Sequence, residues 1–261
     1  MSSKTLLLIA FLSLPAARAQ VPAAAPAAAS EADATQLAPQ PETPPEPLTP
    51  EKRGDIFMAR KMHREAIEQY AQCPQTAVIF NKLGIAHHQM NNLDTAKRFY
   101  ERSIKKDKLY PEAVNNLGTI YYANRSYRRA VNQYKKALKL SPESASIYSN
   151  LGTAFFARKK YQDAAEAYQH ALLLDPDVFE RKSSYGVLLQ ERNVEERAKF
   201  HYYLAKVYAR AGATDRAILY IRKSLEEGFK ERKKFTEEPE FAGLQEIAEF
   251  KELMATEPRV L

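Results

Sequence analysis

The chain is expected to fold as an all-α solenoid, a right-handed superhelix of stacked helix-turn-helix units. Three observations carry this expectation. Leu83-Gly84, Leu117-Gly118 and Leu151-Gly152 recur at a spacing of 34 residues. Ala96, Ala130 and Ala164 keep the same spacing, as do Tyr100, Tyr134 and Tyr168. A fixed period of this size marks a stack of helical hairpins, each covering the apolar face of its neighbour. The composition agrees: with Gly 8, Trp 0, Tyr 15 and Phe 12 among 261 residues, the chain suits packed helices better than a loop-rich β fold.

Residues 1–19 read as a secretory signal peptide. Lys4 gives a positive start, Thr5 to Leu14 a short apolar core, and Ala17-Arg18-Ala19 a small-x-small cleavage site before Gln20. A membrane anchor is the alternative, but the apolar run is about half of the ~20 residues that span a bilayer. Export to a periplasmic or extracellular space is the expectation. Residues 20–49 are rich in Ala and Pro, lack apolar periodicity, and read as a disordered tether. The whole chain carries a formal charge of +7; setting aside Lys4, Arg18 and the acids Glu31, Asp33, Glu42 and Glu46 leaves residues 51–261 at +9. Such a balance suits either a solvated helical surface or an acidic or polyanionic partner. Nucleic acid is not expected for an exported chain. Cys73 is the single cysteine, so no intrachain disulfide can form; it reads as a small buried residue. Asn124-Arg125-Ser126 is a glycosylation sequon, relevant only in a eukaryotic secretory pathway.

The folded part is read unit by unit. Residues 50–76 form a degenerate N-terminal cap, in which Gly54, Ala66, Tyr70 and Cys73 keep the repeat spacing, Thr49-Pro50 starts a helix and Pro74 ends one early. Full units span 77–110, 111–144 and 145–178. Counting each from its first residue, position 7 is Leu, 8 is Gly, 20 is Ala and 24 is Tyr in all three, while Pro142 and Pro176 close the later two. Small residues at positions 8 and 20 let the helices of a hairpin approach; the ring at 24 and Leu at 7 are expected to fill the space between neighbouring hairpins. After Pro176 two registers compete. In one, Gly186, Ala198, Tyr202 and Ala205 continue the 34-residue spacing. In the favoured one, 179–193 is an inserted segment and 194–228 a degenerate fourth hairpin, with Leu204-Ala205, Tyr208, Ala217, Ile221 and Leu225 in place and Gly212 at its corner. Residues 229–261, with Phe241, Leu244, Ile247, Phe250 and Leu253 at helical spacing, are expected to be helices that cap the stack.

These motifs closely resemble the tetratricopeptide repeat. The resemblance implies a protein-binding scaffold whose first helices line a concave groove, through positions 2, 5, 6, 9, 12 and 13. Carried over, it designates Asn81, Lys82 and His88 in the first full unit, Asn115, Asn116, Thr119 and Tyr122 in the second, and Ser149, Asn150, Thr153 and Phe156 in the third. Asn amides can donate to a peptide carbonyl and accept from its N–H; Asn116 and Asn150 are therefore candidates to grip a backbone, or else to satisfy neighbouring groups of the protein itself. The family's chaperone-tail clamp is not expected: Asn116 fits its middle position, but Asn81, Ile85, Ser146 and Asn150 depart from the others.

No catalytic or cofactor motif appears. The sequence lacks HExxH, CxxC, a phosphate-binding loop and a nucleophile elbow. His87-His88 diverge by ~100° on a helix, which does not suit a shared metal ion. The expected partner is a protein or peptide segment, without cofactor, metal or catalysis, possible roles lying in envelope or secretion-complex assembly. A polyanion on the basic outer surface is the alternative.

Overall fold

The computed structural model describes residues 47–179 and 194–256, all within one compact unit spanning Pro47–Leu261. The expected signal segment, residues 20–46 of the tether and residues 180–193 of the expected insertion lie outside the described residues. Five helical hairpins follow one another: α1 (Pro50–Ala59) with α2 (His63–Ala71), α3 (Ala77–Gln89) with α4 (Leu93–Lys106), α5 (Pro111–Ala123) with α6 (Tyr127–Leu140), α7 (Ala145–Ala157) with α8 (Tyr161–Leu174), and α9 (Val194–Arg210) with α10 (Thr214–Glu226). Among the described residues there is no strand. The hairpins stack in chain order, each second helix against the next first helix, which is the solenoid expected.

Local chemistry accounts for the ends of the elements. Thr49 caps α1, its hydroxyl accepting from the Lys52 N–H, with Pro50 in the first turn. Thr76 caps α3 in the same way. Every hairpin turns through one left-handed residue at position 15: Lys61, Asn91, Arg125 and Lys159 have φ of 61°, 60°, 55° and 59°, and Gly212 has 71°. At the α3 corner the Asn92 N–H donates to the His87 carbonyl at 2.9 Å and the Asn91 N–H to that of His88 at 2.8 Å, closing the helix with the paired bonds of a Schellman motif.

The interior corrects one expectation. The position-24 rings fill the inside of their own hairpins as well as lying between units. A Cβ added to Gly54, Gly84, Gly118 or Gly152 would stand 2.4, 2.5, 2.6 or 2.5 Å from the ring of Tyr70, Tyr100, Tyr134 or Tyr168, always 16 residues on. Glycine is therefore required at position 8 because tyrosine stands at 24. In the α9–α10 hairpin the equivalent residues are Ala205 and Ile221, both fully buried. A smaller side chain at 24 accompanies a larger one at 8.

A second recurrence fixes the register of that hairpin. Ser103 Oγ donates to the Ala77 carbonyl at 2.7 Å, joining positions 27 and 1. Ser224 Oγ donates to the Ala198 carbonyl at 2.7 Å. Ala198 thus stands at position 1 and α9 starts a turn earlier, at Val194.

The C-terminal segment is also shaped differently from its apolar periodicity. Phe241, Leu244, Ile247, Phe250 and Leu253 do not share one helix. They are divided between a 3-10 turn, Pro239–Leu244, and α12 (Ala248–Ala255), after the one-turn α11 (Lys234–Glu237). Ile247 is extended, with ψ 128°, so the chain bends there. The bend lets Phe235, Phe241, Leu244 and Phe250 all enter the core beside Tyr202 and Leu225. Cys73 is buried, and its burial pushes the thiol pKa up.

Candidate functional site

Helices α3, α5 and α7 touch in succession and bring their positions 5 and 6 into one line. Asn150 Nδ2 donates to Asn115 Oδ1 at 3.0 Å, Asn115 Nδ2 to Asn116 Oδ1 at 3.3 Å, and Asn116 Nδ2 to Asn81 Oδ1 at 2.9 Å. Each bond between units links position 6 of one unit to position 5 of the unit before. Lys82, at position 6 of its own unit, continues the rule: its Nζ lies 2.8 Å from Glu51 Oε1, at position 5 of the cap, and 2.7 Å from Asp55 Oδ1. Burial works against the ammonium, but the hydrogen bonds to Asp55 and Glu51 outweigh it and push the Lys82 pKa up. Lys82 is therefore a neutralised cation joined to the cap.

Above this line of amides lies a hollow of about 290 Å³. Asn81, Lys82, Ile85, Asn115 and Asn116 reach it from α3 and α5, Tyr110, Pro111 and Glu112 from the junction of the first and second units, and Ser141, Ser144, Ser146 and Ile147 from the junction of the second and third. Its floor is amide, its sides are Ile85 and Ile147, and its rim carries Glu112 and hydroxyls. Such a surface can hold an extended segment by hydrogen bonds with one apolar side chain between the isoleucines. The asparagines contribute in part: Asn81, Asn115 and Asn116 are 4–5 % exposed and already bond to one another.

The other designated residues lie elsewhere. Ser149 uses its carbonyl to accept from the Thr153 hydroxyl at 2.9 Å. Thr119 donates to the Asn116 carbonyl at 2.7 Å, and Thr153 accepts from the Tyr168 hydroxyl at 3.3 Å; both threonines are buried. Asn150, Thr153 and Phe156 do not line an open groove, contrary to expectation. Asn150 is 0 % exposed, and the Phe156 ring is packed edge-on by Phe200 and Tyr203 of α9, at 5.6 and 6.2 Å. Rings of α9 thus lie over the third unit, which a spacing argument across regular copies could not show. Tyr122 is half-buried against Tyr127, 5.3 Å away. His88 is half-buried, and burial pushes its pKa down, leaving a neutral imidazole near pH 7. Serines 144 and 146 and Glu112, at the rim, were not designated; the offset between successive units places them there, and no single-unit pattern signals it.

Among the described residues, no group of three or more His, Cys, Asp or Glu side chains is placed to hold a metal ion, and no helix is long and apolar enough to cross a membrane.

Comparison with known proteins agrees with this architecture. Two tetratricopeptide-repeat family models match the chain, one over residues 115–178 and one over 77–107. No curated protein matches it. Among solved structures, the crystal structure of MamA is 20% identical, with a TM-score of 0.46 over 67% of this chain and 93% of that one. The APC/C hetero-tetramer Cut9-Hcn1 is 23% identical, with a TM-score of 0.50 over 70% of this chain and 33% of that one, so this chain spans about a third of it. The first TPR of Spaghetti (RPAP3), bound to the HSP90 peptide SRMEEVD, is 25% identical, with a TM-score of 0.39 over 41% of this chain and 84% of that one. The likeness to Cut9-Hcn1 speaks for the fold alone. Residues 77–107 and 115–178 are tetratricopeptide repeats, stacked as a helical solenoid.

Proposed function

We propose that this protein is a non-catalytic scaffold or adaptor of the cell envelope, which binds an extended protein segment in the hollow where α3, α5 and α7 meet. Tetratricopeptide repeats commonly mediate protein–protein interactions. The observation that carries the site is the 290 Å³ hollow with hydrogen-bonding groups on its floor and rim and Ile85 and Ile147 on its sides. Placement in the envelope rests on the residue pattern of 1–19 alone, and N-terminal sequencing of the exported product should begin at Gln20. The site is tested by selecting displayed peptides on the chain. Ser146→Tyr fills the hollow from a half-buried position without entering the core. It should leave the melting curve unchanged and reduce binding of the selected peptides by tenfold or more, about 1.4 kcal/mol. Equal binding by the variant would show that the hollow is not the site.

A further inference from the structure

Among the described residues, a run of unbalanced positive charge lies away from the amide-floored hollow, along α6 and the corners at its start and at the start of α8. Helix α6 carries Arg128, Arg129, Lys135, Lys136 and Lys139 and no acidic residue, whereas α2, α4, α8 and α10 each carry at least two acids. Two hollows mark its course. One, of about 680 Å³, is lined by Arg125, Arg128, Arg129 and Arg158 with Ser126 and Tyr127. The other, of about 460 Å³, shares Arg129 and continues to Lys135, Lys136 and Lys139. No carboxylate lines either hollow. Among the described residues none of the four guanidiniums has an ion-pair partner, whereas Arg197, Arg210, Arg216 and Arg222 each face a carboxylate.

We infer that this track is a docking surface for a linear phosphate polymer that carries no bases. Like charges so close together repel, and guanidinium forks aimed into an open hollow are suited to bidentate oxyanions. The track runs the ~20 Å of a 14-residue helix, longer than a single small anion needs. Its chemistry separates the polymers that could lie there. A protein segment would want an apolar anchor, since aromatic and apolar hot spots dominate such interfaces, and the rings here are engaged: Tyr127 packs on Tyr122, and Tyr121 lies beneath Lys97 and Arg129. An extended acidic peptide also turns every second side chain away from the surface, while a phosphate chain offers charge in every unit. Base stacking needs exposed rings, which the hollows do not supply.

The test is fluorescence anisotropy of the full chain with a short labelled inorganic polyphosphate across a salt series, beside an oligothymidylate and an oligoglutamate of matched charge. Polyphosphate should bind more tightly than either. The variant Arg125→Gly/Arg128→Gln/Arg158→Gln should weaken it about tenfold or more at low salt and flatten the log–log salt dependence by roughly 2, the loss of three contacts. Lys52→Gln/Arg60→Gln/Arg64→Gln makes the same change of net charge on the first hairpin and should leave binding nearly intact. Equal losses in the two variants, an unchanged slope in the first, or tighter binding of either matched polymer would overturn the inference. Melting curves of both variants verify folding.

Discussion

At the residue scale, the pairing of Gly118 with Tyr134 makes an unusual demand. Alanine is normally the better helix residue by about 1 kcal/mol, yet here its methyl would stand 2.6 Å from a ring that is 0 % exposed. Gly118→Ala should therefore destabilise by about 1–3 kcal/mol, measured by chemical denaturation. Adding Tyr134→Ile should recover part of the loss, since Ala205 and Ile221 already form that combination in the last hairpin; a double variant no more stable than the single one would refute this. The tyrosine hydroxyls differ as well. Tyr70 donates to Asp55 Oδ1 at 2.7 Å, whereas the Tyr134 hydroxyl is buried without a partner. Tyr70→Phe should cost about 1.5–3 kcal/mol and Tyr134→Phe close to nothing. The spacing in the sequence reveals which residue types recur. It does not reveal that Gly118 answers to Tyr134, because the three full copies hold both positions fixed and the single variation, Ala205 with Ile221, does not by itself show a contact.

At the element scale, the C-terminal cap is held by charge as well as by its rings. Lys206 lies 3.0 Å from Glu238 and 3.3 Å from Glu240, and Arg210 also pairs with Glu240. Burial alone would push the Glu240 carboxyl up, but the hydrogen bond from Arg210 and the nearby Lys206 hold it below its ordinary value. A depressed carboxylate contributes stability above its unfolded pKa of ~4.3, and that contribution is lost as pH falls through the folded value. Cap docking, followed by hydrogen exchange in Phe235–Phe250, should weaken as pH falls below about 5, and Glu240→Gln should remove much of this dependence. Phe241, 0 % exposed and 5.3 Å from Phe235, should cost about 3–5 kcal/mol when changed to Ala. Apolar spacing in the tail signalled a cap, but it could not show the bend at Ile247, which is set by how the five side chains reach a core made by other elements. The hairpin corners are also unexpected from sequence: Lys61, Arg125 and Lys159 adopt positive φ, where glycine or asparagine would be the easier residue. Arg125→Gly should therefore be neutral to stabilising by up to ~1 kcal/mol, read from the melting midpoint.

At the scale of the whole molecule, the core is unevenly distributed. Among the described residues, six buried side chains make up the cluster of the first hairpin and its neighbour, while 29 form the continuous cluster from Val114 to Phe250. In a one-dimensional stack, stability follows the local units and their interfaces. Among the helices, limited proteolysis under native conditions should cut first in α1 or α2, leaving a product that begins near Ala77; earlier cutting within α9 or α10 would contradict this. The stacking itself was legible because it is written in a repeating register. The use of the asparagines was not, since Asn116 and Asn150 look alike whether they face a guest or an asparagine of the unit before, and only the offset of one unit against the next decides. The amide relay from Asn150 to Asn81, prolonged by Lys82 to Glu51, acts as a spacer bar. Neighbouring modules cannot rotate apart at one joint without breaking a bond at that joint, so the cradle keeps its curvature whether empty or full. A guest of the proposed site would meet a mould already set, and little of its binding energy would go into shaping the host.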